Sequence, residues 1–261
     1  MNRIIKTVCI FVLLGCSIPS LAGETITVNG RGDATQSGLL IEADNARAVV
    51  MLFPGGGGFI KLKDDGTFRK AKGNFLIRSK EHFLENNLHV VIMDSPSDYQ
   101  NRQGMRYGFR SSDEHMKDVG SMVENLKQRF NLPVWLVGTS RGTESVGNAM
   151  VKLNTKIDGA VLTASITELN DKGSSVLEFD LEKVTIPVMV TTHSEDECWV
   201  TPPDGAQRIG KALTASSRVK VKMYSGGDEP VADVCRGKSA HGFYGLEKEA
   251  ADDIAAFITS S

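Results

Sequence analysis

Beyond its first 22 residues, this chain of 261 has no apolar run approaching membrane-spanning length. It has no basic tract either. The 30 Lys and Arg are set against 32 Asp and Glu, and a formal charge of −2 argues against nucleic acid as a partner. Cysteine is scarce, four in all, and no cluster of Cys and His has the spacing of metal ligands, so neither a metal nor a cofactor is expected. No internal repeat or low-complexity linker interrupts the chain, and its length suits a single α/β domain with a sizeable core. Nothing points to a particular oligomeric state.

The N-terminus is different in character. Arg3 and Lys6 precede an apolar core from Thr7 to Leu14 that is too short to span a bilayer, and Ser20-Leu21-Ala22 supplies small residues before a cleavage point. Residues 1–22 therefore read as a signal peptide and 23–261 as the mature domain, periplasmic or secreted. Leu13-Leu14-Gly15-Cys16 offers a competing route, lipid anchoring through Cys16. Removing the leader takes Arg3 and Lys6 with it, shifting the formal charge from −2 to −4. It also takes Cys9 and Cys16, leaving Cys198 and Cys235. Two cysteines in an exported protein suggest a disulfide, with free thiols as the alternative. Such a bridge would contribute about 4 kcal/mol in chain-entropy terms.

Short apolar runs recur along the mature chain. Thr25–Val28 and Leu39–Ile41 suggest a hairpin broken at Asn29-Gly30 and Arg31-Gly32. Ala48–Phe53, His89–Met93, Pro133–Val137, Gly159–Leu162, Ile186–Thr191 and Val219–Tyr224 follow, the middle ones continuously apolar, as parallel strands covered on both faces are. Helical segments lie between them. Asn74–Glu85 is one, and another opens on Ser111-x-x-Glu114 as a capping box with Met116, Val119, Met122, Val123 and Leu126 on one face. Others start at Ser140, at Pro203-Asp204-Gly205, and around Leu246. This alternation predicts an α/β fold, a three-layer α/β/α sandwich with a mostly parallel central sheet.

One stretch carries chemistry. Val134–Val137 runs straight into Gly138-Thr139-Ser140-Arg141-Gly142, a Gly-x-Ser-x-Gly turn between a buried-type strand and a helix. A side chain at either glycine would collide with the neighbouring strand or helix, while the serine is lifted to a helix N-terminus suited to a developing anion. A serine hydroxyl needs a base, and the base needs orienting. Downstream, one strand ends in His193-Ser194-Glu195-Asp196, and the last strand is followed by Ser239-Ala240-His241-Gly242-Phe243.

The order serine, acid, histidine resembles that of the α/β-hydrolase superfamily, from about Ala46 to the C-terminus. The likeness implies Ser140 as nucleophile, Asp196 as acid and His241 as base. Glu195, Glu197 and His193 compete for those roles by position. His193 matches a place that usually shapes the acid turn. Pro54-Gly55-Gly56-Gly57-Gly58 stands where the superfamily carries His-Gly or His-Gly-Gly-Gly, with proline in place of histidine. The resemblance puts an oxyanion hole at the N–H of Gly56 or Gly57 together with that of Arg141.

The remaining histidines, His82, His89 and His115, read as structural. Asp94 reads as a solvated strand-end carboxylate, and Arg110 as a surface or ion-pair arginine. A Cys198–Cys235 bridge would join the acid loop to the base loop. About twenty residues separate the strand ending near Ala164 from Ile186, too few for a helical cap domain. The resulting expectation is a cap-less, exported serine hydrolase of the carboxylesterase type, acting on a small ester. A peptidase or amidase with the same triad, and a non-catalytic envelope binding protein on the same fold, are the alternatives.

Overall fold

The computed structural model describes residues 23–260. The signal-peptide and lipid-anchor expectations fall on residues 1–22 and lie outside the described residues. The chain builds one eight-stranded sheet in the order β1-β2-β4-β3-β5-β6-β7-β8. The strands are β1 (Glu24–Asn29), β2 (Thr35–Ile41), β3 (Ala48–Phe53), β4 (Leu88–Met93), β5 (Val134–Ser140), β6 (Gly159–Ser165), β7 (Val188–His193) and β8 (Val219–Tyr224). β2 runs antiparallel to β1 and β4, and the pairings from β4 across to β8 are parallel. The N-terminal hairpin closes through Gly30 N–H to the Ala34 carbonyl, 2.8 Å. Among the described residues, six α-helices flank the sheet: α1 (Phe75–Arg78), α2 (Lys80–Glu85), α3 (Asp113–Phe130), α4 (Gly142–Lys152), α5 (Gly205–Ala212) and α6 (Glu247–Thr259).

The continuously apolar strands divide their side chains between the two faces with period 2. Val49, Met51 and Phe53 pack on one face with Met116 of α3, Val146 of α4 and Ile209 of α5. Val50 and Leu52 pack on the other with Phe75 of α1, Phe83 of α2 and Ile254 of α6. Each such side chain contributes roughly 1.5–3 kcal/mol on burial. Two buried layers of this kind explain why β3 and β4 contain no polar residue except His89. Among the described residues, no helix is long and apolar enough to cross a membrane.

Two local expectations are corrected. The helix expected over Asn74–Glu85 is two short helices, α1 and α2. Asn74 caps the first through Leu76 N–H, but the Ser79 hydroxyl bonds back to the Phe75 carbonyl at 2.9 Å and the chain turns there. The cap of α3 is Ser112, which accepts from His115 N–H at 3.1 Å. Ser111 instead donates to the Gly108 carbonyl and closes the preceding 3-10 turn. Between β6 and β7 lie the 3-10 turns Val176–Glu178 and Leu181–Lys183, and no cap domain is inserted there. Because β3, β5, β6, β7 and β8 are parallel, the loops following them open on one edge of the sheet, where ligands bind in open α/β folds.

Candidate active site

Ser140 ends β5 with φ 52°, in the left-handed region that costs a non-glycine residue of order 1–3 kcal/mol. The β5–β6 register shifts here: Thr139 pairs with Thr163 and Ser140 with Ser165, leaving Ala164, at φ 44°, as the extra residue of a bulge beside the serine. The flanking glycines permit the turn at Ser140. A Cβ on Gly138 would sit 2.6 Å from the Gly142 carbonyl oxygen and 2.8 Å from Val146 Cγ2, and one on Gly142 would run into the Phe53 carbonyl oxygen. Thr143 Oγ1 donates to the Ser140 carbonyl at 2.6 Å and accepts from Ile166 N–H at 3.1 Å, tying the turn to β6. The strain is held by packing.

The loop Pro54–Gly58 leaves β3 beside this turn. A Cβ on Gly55 would lie 3.0 Å from Ser140 Cβ, and Gly58 N–H closes back to the Gly55 carbonyl at 3.2 Å. Among the described residues, no group accepts from the backbone N–H of Gly56, Gly57 or Arg141. All three residues border the space around Ser140: Gly56 lines both clefts that meet there, Gly57 one of them and Arg141 the other.

Arg110 supports the glycine loop from below. It is fully buried rather than on the surface, and it faces no carboxylate directly. Its guanidinium donates to the Pro54 carbonyl at 2.9 Å, the Gly56 carbonyl at 3.4 Å and Ser145 Oγ of α4 at 2.7 Å. Burial pulls its pKa down to about 10, with Glu144 opposing, so it stays charged at neutral pH. His115 Nε2 shares Ser145 Oγ at 2.9 Å, and burial together with Arg110 pushes it down to about 3. Glu144 is buried between Arg141, 2.8 Å away, and Ser174 N–H, and burial raises its carboxyl. Asp94 is likewise buried, not solvated. It accepts from the backbone of Ile60, Leu62 and Ser95 and anchors the chain just past the glycine loop.

The acid turn follows β7. Asp196 is buried, whereas Glu195 and Glu197 are exposed. Asp196 Oδ1 accepts from Cys198 N–H at 2.9 Å, and Oδ2 accepts from Thr201 Oγ1 at 2.9 Å. The same Oδ2 stands 3.0 Å from His241 Nδ1, with both side chains almost wholly buried. The carboxylate thus accepts three contacts, and the one facing His241 places that ring's proton on Nδ1. His241 lies in the 3-10 turn Ala240–Gly242 and lines the same cleft as Ser140.

His193 is engaged elsewhere. Its Nε2 donates to the Gly226 carbonyl at 2.9 Å and its Nδ1 accepts from Glu195 N–H at 3.1 Å, so both nitrogens shape the acid turn. His82 pairs with Glu85 on the surface, and His89 packs against Phe130. Cys198 and Cys235 are joined, Cα atoms 4.8 Å apart, so the acid turn and the segment leading to His241 are covalently linked.

Several residues of the site escape sequence reasoning. Arg110 and Arg78 reach it across long separations in the chain, whereas Thr201 stands only five residues after Asp196. Arg78 holds the base loop from the far side, donating to the carbonyls of Gly237 at 2.6 Å and Gly242 at 3.0 Å while paired with Glu247.

No protein-family model and no curated protein matches this sequence. Solved structures do resemble it. An esterase of Pyrococcus furiosus, Pf2001, aligns with TM-score 0.64 and 12% identity over 90% of this chain and 91% of its own. A soluble variant of monoglyceride lipase from Saccharomyces cerevisiae, bound to a substrate analog, aligns with TM-score 0.64 and 14% identity over 93% and 96%. Est1E from Butyrivibrio proteoclasticus aligns with TM-score 0.59 and 13% identity over 90% and 97%. At such identities the likeness is one of fold: the chain has the α/β-hydrolase fold.

Proposed function

We propose that the protein is an exported serine hydrolase cleaving carboxylic esters through Ser140, His241 and Asp196. The observation that carries this reading is the buried His241–Asp196 pair opening onto the cleft in which Ser140 is held at φ 52°. The esterase and lipase names of the structural neighbours agree with it. His241 Nε2 takes the proton from Ser140 Oγ as the oxygen attacks the ester carbonyl, and Asp196 holds the imidazole in the required tautomer and balances its positive charge. The tetrahedral oxyanion is received by the N–H of Arg141, at the start of α4, and by that of Gly56 or Gly57. His241 then protonates the departing alcohol. A water molecule, deprotonated by the same nitrogen, hydrolyses the acyl-Ser140 intermediate.

Export is supported by the leader-like segment 1–22 and by a Cys198–Cys235 bridge of the kind oxidising compartments sustain. The hydrolase reading is tested by labelling with a fluorophosphonate probe, followed by a panel of p-nitrophenyl esters and aminoacyl anilides. Ser140→Ala should abolish labelling and lower ester turnover roughly 10⁴-fold or more with the fold intact. Retained turnover in that variant removes the mechanism. Cleavage of anilides rather than esters reassigns it to a peptidase.

A further inference from the structure

Two clefts of about 750 and 680 Å³ flank Ser140, and Gly56, Arg106 and Arg236 line both. Their walls carry Lys70, Arg102, Arg106, Lys172, Arg236 and Lys238 against two acids, Asp171 and Asp233. Composition does not account for this excess, since the chain as a whole carries a formal charge of −2. Elsewhere among the described residues the two signs are mixed: Arg31 pairs with Asp118, Arg78 with Glu247, Arg129 with Glu24 and Glu42, and Lys222 with Asp253, while surface cations such as Lys61, Arg69 and Lys211 stand alone. Arg141, at the cleft wall, is taken by Glu144. Among the described residues, none of the six cleft cations lies within ion-pair distance of a carboxylate.

Arg106 stands at the junction. Its Nη1 donates to the carbonyls of Arg102 at 3.3 Å and Gln103 at 3.1 Å, which fixes the guanidinium. Its Nη2 faces the glycine loop, 3.6 Å from where a Cβ on Gly56 would lie, and has no acceptor among the described residues. The segment carrying it is anchored at both ends, by Met105 N–H to the Gly57 carbonyl and Tyr107 N–H to the Lys172 carbonyl, each 2.8 Å. A half-buried, positioned guanidinium edge with no partner is suited to bidentate or charge-assisted contact with an anion. A cleft lined by one sign of charge also concentrates counter-charged solutes.

We propose that the ester hydrolysed here carries an anionic group, a carboxylate, sulfate or phosphate, bound by Arg106 at the cleft junction with the surrounding cations steering it in. This rests on the ester-hydrolase reading above. The anion belongs to either the acyl or the alcohol half, and each cleft supplies cations for one of them.

The test compares matched esters on the purified protein. p-Nitrophenyl hemisuccinate against p-nitrophenyl butyrate places the charge on the acyl side. 4-Acetoxybenzoate against its methyl ester places it on the alcohol side. In at least one pair, kcat/KM corrected for the uncatalysed rate should favour the anionic ester at least 10-fold at low salt, and the preference should shrink as sodium chloride is raised. Arg106→Gln should lower that ratio mainly through KM, and Arg236→Gln, at an exposed position, should lower it less. Equal or better turnover of the neutral ester in both pairs, or a preference indifferent to salt and to Arg106→Gln, overturns the proposal. Fluorophosphonate labelling distinguishes the two failures. Labelled protein that prefers neutral esters refutes the anionic substrate alone, and unlabelled protein that turns over neither ester refutes the hydrolase reading and this inference with it.

Discussion

The Thr201 hydroxyl donates to Asp196 Oδ2 at 2.9 Å, the oxygen that also faces His241 Nδ1, and it lies 3.1 Å from that nitrogen. One hydroxyl thus braces both members of the acid–base pair from a position 1% exposed. Thr201→Val keeps the shape and removes the donor. Net loss of one such bond to a charged group is worth about 1.5–3 kcal/mol, so kcat for a p-nitrophenyl ester should fall roughly 10- to 100-fold with KM little changed. Stopped-flow burst kinetics on the variant checks this, and an unaltered acylation rate removes Thr201 from the orientation of the pair.

His241 and His193 are separated by a pair of alanine substitutions. Proton transfer needs a ring nitrogen free to face Ser140, and both nitrogens of His193 are committed to the Gly226 carbonyl and Glu195 N–H. His241→Ala should therefore lower turnover nearly as far as Ser140→Ala, because members of a triad act as a unit. His193→Ala should cost stability first, and activity only through a loosened acid turn. The opposite ranking, measured as kcat/KM at a temperature where both variants are folded, would hand the base to His193.

The legible parts of this molecule are those decided locally. The alternation of apolar runs and helical faces is visible because each parallel strand must be apolar on both sides, and β3, β4 and β5 obey that almost without exception. The turn at Ser140 is visible because its crowding leaves room only for glycine at 138 and 142, against the following helix in one case and the end of β3 in the other. Ser111 and Ser112 are indistinguishable as caps from sequence, since the choice between them depends on which one closes the turn after Gly108. Arg110 and Asp94 are misread for a deeper reason. Charged residues are seldom buried, and these two are buried because they bind backbone groups of segments 56 and 34 residues away in the chain. The lack of an ion pair at Arg106 is also invisible without the fold, as it depends on which carboxylates fail to come near.

Arg110 gives a test of that buried support. It holds Pro54 and Gly56 from beneath and bridges them to Ser145 on α4, so the glycine loop and the helix that starts behind Ser140 are positioned by one side chain. Arg110→Lys retains the charge but cannot span the three partners. Misplacement of an oxyanion donor by a fraction of an ångström to 1 Å should lower kcat by roughly 10- to 100-fold, with KM moving far less. The rate of fluorophosphonate labelling should fall in parallel, since phosphonylation uses the same donors. A variant that melts lower yet keeps full kcat assigns Arg110 to stability only.

The Cys198–Cys235 bridge is the remaining constraint on the acid–base pair. Cys198 N–H is bonded to Asp196 Oδ1, and Cys235 lies six residues before His241, at the end of a run from 225 to 236 that is exposed throughout. Ser239 Oγ, donating to the carbonyls of Val234 and Arg236, and Arg78 hold the part of this loop nearest His241. The exposed part is otherwise tied down by His193 on the Gly226 carbonyl and by two backbone bonds, Asp228 N–H to the Tyr244 carbonyl and Val231 N–H to the Lys238 carbonyl. Cleaving the bridge removes a constraint across 37 residues, worth about 4 kcal/mol in chain-entropy terms, and Cys235→Ser should lower Tm by roughly 10 °C. It should also lower turnover at temperatures where the variant is folded, because the acid and base then drift independently. Mass spectrometry under non-reducing conditions decides whether the bond forms in exported protein, and two alkylatable thiols there would sink the idea. If the bond is present and turnover in folded Cys235→Ser protein is unchanged, the bridge serves the stability of the loop, and Asp196, Thr201, Ser239 and Arg78 suffice to hold the base.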